Sequence, residues 1–321
     1  MKPYFIVLDL DGTLMLDFAT YDDETFDYLR HLNQLGHIIM LATGRPKRSS
    51  YFVYKALNLY TPLINYNGAF ISNPTDSNYP VTDLRISKDA LLDIIHYIRP
   101  YLINVFCEII DDIYVQDYNE EIKPFLHIDG GVLHSGEIKD ILPDNPNGAL
   151  FFLKKEAIID FIDYIKKNYN GKLLARYWEV DKNYIVEIYN PLVNKSVGFK
   201  NAYKYYNIPK ERTIAIGDGH NDIELLKEAS ISVAMKNANP ELLQYAKYVT
   251  DSYDKQGVLK FLKNFFNEKK TVRHIIVNKK NKISLLSKKT RFLGNVITYL
   301  PFLFDPMYRF YSKHFQKKLY E

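Results

Sequence analysis

Asp9 and Asp11 stand one residue apart where the apolar run Tyr4–Leu8 ends, and Gly12 and Thr13 follow at once. A second group, Asp218, Asn221 and Asp222, follows another apolar run, TIAIG, about two hundred residues later. Alternation along a strand sends Asp9 and Asp11 to one side, while Gly12 permits a tight turn and offers a backbone N–H. Two carboxylates about 5 Å apart repel by roughly 3 kcal/mol at an effective dielectric of about 20, so converging acids require a cation. The set offers oxygen alone, with no His/Cys group at metal-ligand spacing. That selects a hard ion that keeps some of its waters, Mg²⁺ above all. Such an ion beside an aspartate and a cluster of N–H donors suits phosphoryl transfer in which a carboxylate attacks phosphorus.

These acids meet only if the chain brings its two ends together, and the hydrophobic pattern predicts that it does. YFIVLDL reads as a strand and residues 22–35 as a helix with Phe26, Leu29, Leu32 and Leu35 on one stripe, closed by Gly36. HIIMLAT, a helix opened by Pro46, and PLINYNGAFI as a third strand follow. Pro, Asn, Ser and Asp crowd residues 73–80 and mark a linker. After Pro191 the alternation resumes with a helix over 195–206, the strand TIAIGD, a helix over 221–229, the strand ISVAM, and helices over 239–246 and 257–266. The expectation is an α/β fold: a Rossmann-like three-layer α/β/α core with a mostly parallel sheet, from residues 1–82 and 191–266. In open sheets of this kind ligands bind beyond the carboxyl ends of the strands, where Asp9, Asp11 and Asp218 fall.

Residues 83–190 read differently, with a helix after Ser87 stopped by Pro100, strand-like pairs joined at Asp111-Asp112 and around Asp181-Lys182-Asn183, and the helix EAIIDFIDYIKKNY. Hairpins mixed with helices predict an inserted α+β cap domain with an antiparallel sheet. Joined to the core by two linkers, it would close over the site, exclude water and set specificity.

Composition narrows the function classes. The one cysteine, Cys107, sits among apolar neighbours, which excludes an internal disulfide framework and predicts a buried thiol in a reducing compartment. No signal-peptide pattern and no run of about 18 apolar residues is present, so a cytoplasmic protein is expected. Net charge is +4, but residues 267–321 hold thirteen Lys/Arg against three acids, leaving −6 on the rest and making nucleic acid an unsuitable partner for the core. In this basic, aromatic extension Met307, Tyr311, Phe315 and Leu319 recur at helical spacing opposite Arg309, Lys313, Lys317 and Lys318. The pattern predicts a helix that lies on an anionic membrane surface, docks on an acidic protein partner, or folds back on the acidic body.

DLDGT (9–13), ATGRP (42–46), Lys195 and GDGHND (217–222), in this order, resemble the four motifs of the haloacid dehalogenase-like phosphatases. NYNGAF (65–70), VAMKNA (233–238) and YVT (248–250), with the large insertion between the second and third motifs, are similar to its Cof-type subgroup with a type-2 cap. The resemblance covers about residues 1–266. It implies that Asp9 is the nucleophile and Asp11 the general acid and then base. Mg²⁺ would be held by the Asp9 carboxylate, the Asp11 backbone carbonyl and Asp218, with Asn221 and Asp222 in support. Gly12, Thr43, Gly44 and Lys195 would hold the phosphoryl oxygens. Lys195 is followed by Ser196 where the family commonly has glycine, and Lys200 lies one turn away.

Each motif also has a plainer reading, as turn and helix-capping residues. Arg45 either touches substrate or only the acidic cluster, and Asn67-Gly68 either borders the site or simply turns the chain. His220 is read as a solvent-facing loop histidine with no catalytic role, and Arg176, Tyr177 and Trp178 as core packing or ordinary surface in preference to substrate contact. The expected activity is a Mg²⁺-dependent phosphatase acting on small phosphorylated metabolites, sugar phosphate or flavin mononucleotide among them, through an aspartyl-phosphate. The alternatives are a phosphohexomutase-type phosphotransferase and a non-catalytic phosphate sensor tethered by its basic tail.

Overall fold

The computed structural model describes residues 2–266, so the expectations for 267–321 lie outside the described residues. The strands are β1 (Phe5–Leu8), β2 (Ile38–Ala42), β3 (Leu63–Asn65), β4 (Phe70–Ser72), β5 (Thr82–Asp83), β6 (Leu102–Ile109), β7 (Asp112–Val115), β8 (Leu133–Ser135), β9 (Gly148–Lys154), β10 (Leu174–Val180), β11 (Asn183–Tyr189), β12 (Thr213–Gly217), β13 (Ile231–Ala234) and β14 (Tyr248–Val249). The first sheet has the order β14-β13-β12-β1-β2-β3-β4-β5. It is parallel from β14 to β3, with β4 and β5 antiparallel at one edge.

Its central strands are apolar on both faces because helices cover both. Ile6, Leu8, Ile39, Leu41, Ile214 and Ile216 point to one layer, shared with the helices Asp23–Gln34 and Gly257–Phe266. Phe5, Val7, Met40 and Ala215 point to the other, shared with the helices Lys195–Tyr205 and Ile223–Glu228. The result is a three-layer α/β/α core. From β1 the chain adds β2 and β3 on one side, and later β12, β13 and β14 on the other. The order therefore reverses between β1 and β12, the place where such sheets open a crevice.

Residues 102–189 supply the second sheet, of order β10-β11-β9-β6-β7-β8 and antiparallel but for β7 with β8. One face carries Val105, Cys107, Phe151 and Val186 against the helices Lys88–Ile98 and Ile158–Asn168. There Cys107 is fully buried, which pushes its thiol pKa up. The opposite face, with Phe106, Leu150, Arg176 and Glu187, lies over the crevice of the first sheet. Among the described residues no helix is long and apolar enough to cross a membrane.

Several expected elements change, among them the helix over 239–246, which spans only Pro240–Leu243. PLINYNGAFI is not one strand: Tyr66, Asn67 and Gly68 take φ of 49°, 56° and 107°, which ends β3 and returns the chain antiparallel as β4. The helix after Pro46 starts only at Tyr51. The Ser50 hydroxyl donates to the Pro46 carbonyl, and Arg48 in the intervening turn reaches into the second sheet's loops.

Candidate active site

Strand alternation carries Asp9 past Phe5 and Val7 to the face where the helix Lys195–Tyr205 begins. Lys195 Nζ, fully buried, donates to Asp9 Oδ1 (2.7 Å) and to Asp222 Oδ1 (2.7 Å). Two features bring that lysine in. The Asn194 side chain caps the helix by accepting from the Ser196 N–H. Gly68 lies where an added Cβ would stand 2.6 Å from the Asn194 carbonyl oxygen, so only glycine lets the helix start approach. This is the requirement at Gly68, and it is not on the cleft wall.

From the end of β12 come Asp218 and Asp222. Asp222 Oδ2 accepts from the backbone N–H groups of Asp218 (3.1 Å) and Gly219 (3.0 Å), and at Gly217 a Cβ would meet it at 2.5 Å. Asp218 Oδ2 accepts from Asn237 Nδ2 (2.9 Å), which also donates to the Gly12 carbonyl and ties the two strand ends together. Carboxylate oxygens of Asp9, Asp218 and Asp222, all buried, lie within 4.8 Å of one another. Burial, then Asp222 and Asp11, pushes the Asp9 carboxyl up to about 8 against the pull of Lys195. Burial opposes the Lys195 charge, but Asp222 and Asp9 outweigh it and hold its pKa above the ordinary value.

Asp11 faces Arg45, whose Nε donates to both its oxygens (3.1 and 2.9 Å). Arg45, 4 % exposed, therefore belongs to the acidic cluster, and it also lines the cleft. Four carboxyl groups at positions 9, 11, 218 and 222 thus face two cations, Lys195 and Arg45, so two acids are left without a cation once all are ionised. An all-oxygen donor set with that imbalance fits one divalent hard cation.

The remaining expected residues frame this centre. The Thr43 hydroxyl accepts from the Arg45 N–H (3.0 Å), and its carbonyl accepts from the Asn67 N–H (3.0 Å). Gly44 lines the cleft, with the Asn67 side chain 3.3 Å from where its Cβ would be. Asn221 Nδ2 donates to Asn67 Oδ1 (2.8 Å), joining the motifs at 65–70 and 217–222. His220 lies at the cleft mouth beside Glu241 (3.3 Å).

Above this floor is a cleft of about 170 Å³ whose roof is the second sheet. Arg176 and Trp178, read from sequence as packing or surface, lie in its wall, and Arg176 pairs with Glu187 opposite it on β11. Phe106 and Leu150 continue that row. At the seam between the sheets Arg48 pairs with Glu108 and donates to the Leu126 and His127 carbonyls (2.8 Å each). The Tyr66 hydroxyl donates to the Ile110 carbonyl (2.6 Å). Sequence reasoning missed Arg48, Glu108, Tyr66, Phe18, His127 and Asn237. Tyr66 and Asn237 sit inside quoted motifs, which was the available signal; the others carry no local one.

Comparison with known proteins adds to this geometry. The family model for haloacid dehalogenase-like hydrolase matches residues 6–262. The chain is 32% identical over 267 residues to 5-amino-6-(5-phospho-D-ribitylamino)uracil phosphatase YitU of Bacillus subtilis (strain 168), covering 83% of this chain and 98% of that protein. A haloacid dehalogenase-like hydrolase from Bacteroides thetaiotaomicron shares the fold at a TM-score of 0.70 and 22% identity, over 83% of this chain and 100% of the other. The subclass IIB sugar phosphatase BT4131 does so at 0.65 and 24%, over 82% and 98%.

Proposed function

The chain belongs to the haloacid dehalogenase-like hydrolases and is a phosphoric monoester hydrolase, and on that premise we propose that it is a Mg²⁺-dependent phosphatase of small phosphorylated metabolites working through Asp9. The observation that carries this is the convergence of Asp9, Asp218 and Asp222 beside Lys195, at the floor of a cleft roofed by the second sheet. Mg²⁺ would be held by the Asp9 and Asp218 carboxylates and the Asp11 backbone carbonyl, and when bound it neutralises charge on the phosphoryl oxygens. Lys195 adds a fixed positive charge next to the attacking carboxylate, and Thr43 with the Gly12 and Gly44 backbone would hold the phosphoryl oxygens.

In the first step an Asp9 oxygen forms a bond to phosphorus, the ester P–O bond breaks, and Asp11 gives its proton to the leaving oxygen. An alcohol and an aspartyl-phosphate result. Asp11, now a carboxylate, takes a proton from water as the water oxygen attacks phosphorus, which releases phosphate and restores Asp9. Residues 83–190 act as the lid, excluding other water while the acyl phosphate exists.

For the substrate, the name of the relative YitU supplies a model: a phosphate ester on a ribityl chain attached to a uracil ring. The roof suits a leaving group of that kind, with apolar Phe106, Leu150 and Trp178 for a planar ring and the Arg176–Glu187 pair for its polar edge. A panel of phosphorylated metabolites, assayed with Mg²⁺ and with chelator, tests the whole reading. Asp9→Asn is expected to lower phosphate release at least ~1000-fold with the fold intact. Retained turnover would remove Asp9 as nucleophile, and an isomerised sugar phosphate in place of inorganic phosphate would show transfer to a sugar.

A further inference from the structure

One contact across the seam reaches the reacting groups through two side chains. The Arg45 guanidinium is tied on its edge, with Nε on Asp11 and Nη1 on the carbonyls of Phe18 (2.8 Å) and Ser49 (3.2 Å). Its flat face is covered by the Phe18 ring, whose centroid lies 3.8 Å from the guanidinium carbon. The other face of this arrangement is the His127 ring, stacked on Phe18 at 3.6 Å and 7°. Phe18 rides on a surface loop whose neighbours Leu16, Asp17, Ala19 and Thr20 are exposed, while its own half-buried ring lies between Arg45 and His127.

We propose that His127 is a positioning residue for the reaction: closing on Phe18, it fixes Arg45 and through it the carboxyl of Asp11. The proposal rests on the role given to Asp11 above. His127 is well placed for this, because its own carbonyl and that of Leu126 are registered to the core by Arg48. Burial, with Arg45 and Arg48 nearby, holds its imidazole down to about 4, so a neutral ring meets Phe18 at physiological pH and brings no further cation to the stack. Arg48–Glu108 and Tyr66–Ile110 also join the two sheets, so removing the imidazole leaves other contacts to keep the cleft closed.

The test compares two esters by kcat/KM, which reports every step up to phosphoryl transfer onto Asp9. An alkyl phosphate, the fastest of the metabolite panel, needs a proton on its leaving oxygen, whereas p-nitrophenyl phosphate leaves as a stable anion. His127→Ala is expected to lower the alkyl-to-aryl ratio of kcat/KM by about 10-fold, and His127→Phe, which keeps a flat ring on Phe18, to hold it within about 2-fold of the unaltered protein. Asp11→Asn serves as the reference and should lower the ratio further. Equal loss on both esters in His127→Ala, or no loss, would reduce His127 to packing and overturn the proposal. An unchanged ratio in Asp11→Asn would instead remove the proton-transfer role of Asp11, and the proposal with it.

Discussion

Lys195 on the cleft floor and Arg48 at the seam are both buried cations paired with buried acids, yet they are enclosed in different ways. Asp9, Asp222 and Lys195 come from three elements of one packed core, and the Lys195–Asp222 pair is fully enclosed there, while Asp9 alone of the three borders the cleft. Arg48 lies in a turn of the first body and Glu108 on β6 of the second sheet, so separating the two hydrates both. On the roof Arg176 and Glu187 are already 24% and 20% exposed. The same chemical pairing therefore fixes a reaction centre in one place, latches two bodies in another, and offers a replaceable contact in the third, according to how water can return.

The comparison can be broken at its strongest point first. Lys195→Met leaves Asp9 and Asp222 buried without their cation and should destabilise the metal-free protein by about 3–5 kcal/mol in urea unfolding. A loss below about 1 kcal/mol would mean that the floor is as hydratable as the seam. Arg48→Met should cost less, under about 2 kcal/mol, because the cap can move away and wet Glu108. Its signature would be a red shift of the emission of Trp178, the one tryptophan and part of the cleft wall.

Next in size is the effect of pH on metal stabilisation. Asp9 has a folded pKa raised from 3.8 to about 8, so the contribution of its neutral form is full below about pH 4 and is lost as pH rises through about 8. A divalent ion compensates the charge that then appears. The rise in Tm on adding Mg²⁺ should be larger at pH 8 than at pH 6, and an equal rise at both would disconnect Asp9 from the ion. The smallest change belongs to the roof, where Arg176→Ala should stay within about 1 kcal/mol of the parent while raising KM with kcat little changed.

The floor was legible because its parts are local. Asp9 and Asp11 terminate an apolar strand, Asp218 and Asp222 terminate another, and each motif displays its residues in the order that the chemistry needs. The roof was not, because a residue such as Arg176 on an antiparallel strand has the same appearance whichever face is covered, and the choice of face depends on which helices pack against the sheet. PLINYNGAFI misled for a related reason: its apolar residues suit a strand, and only the left-handed turn at Tyr66-Asn67-Gly68 reveals two.

The sequence by itself determined the alternation of strands and helices, the all-oxygen donor set and the order of the motifs, since periodicity and residue chemistry are properties of neighbours along the chain. Tertiary structure alone decided that Lys195 would bridge Asp9 and Asp222, that Arg45 would turn to Asp11, and that Phe18 would meet His127. Those contacts join residues up to 186 positions apart. Their energies come from excluding water between surfaces, a quantity that exists only once the sheets are assembled.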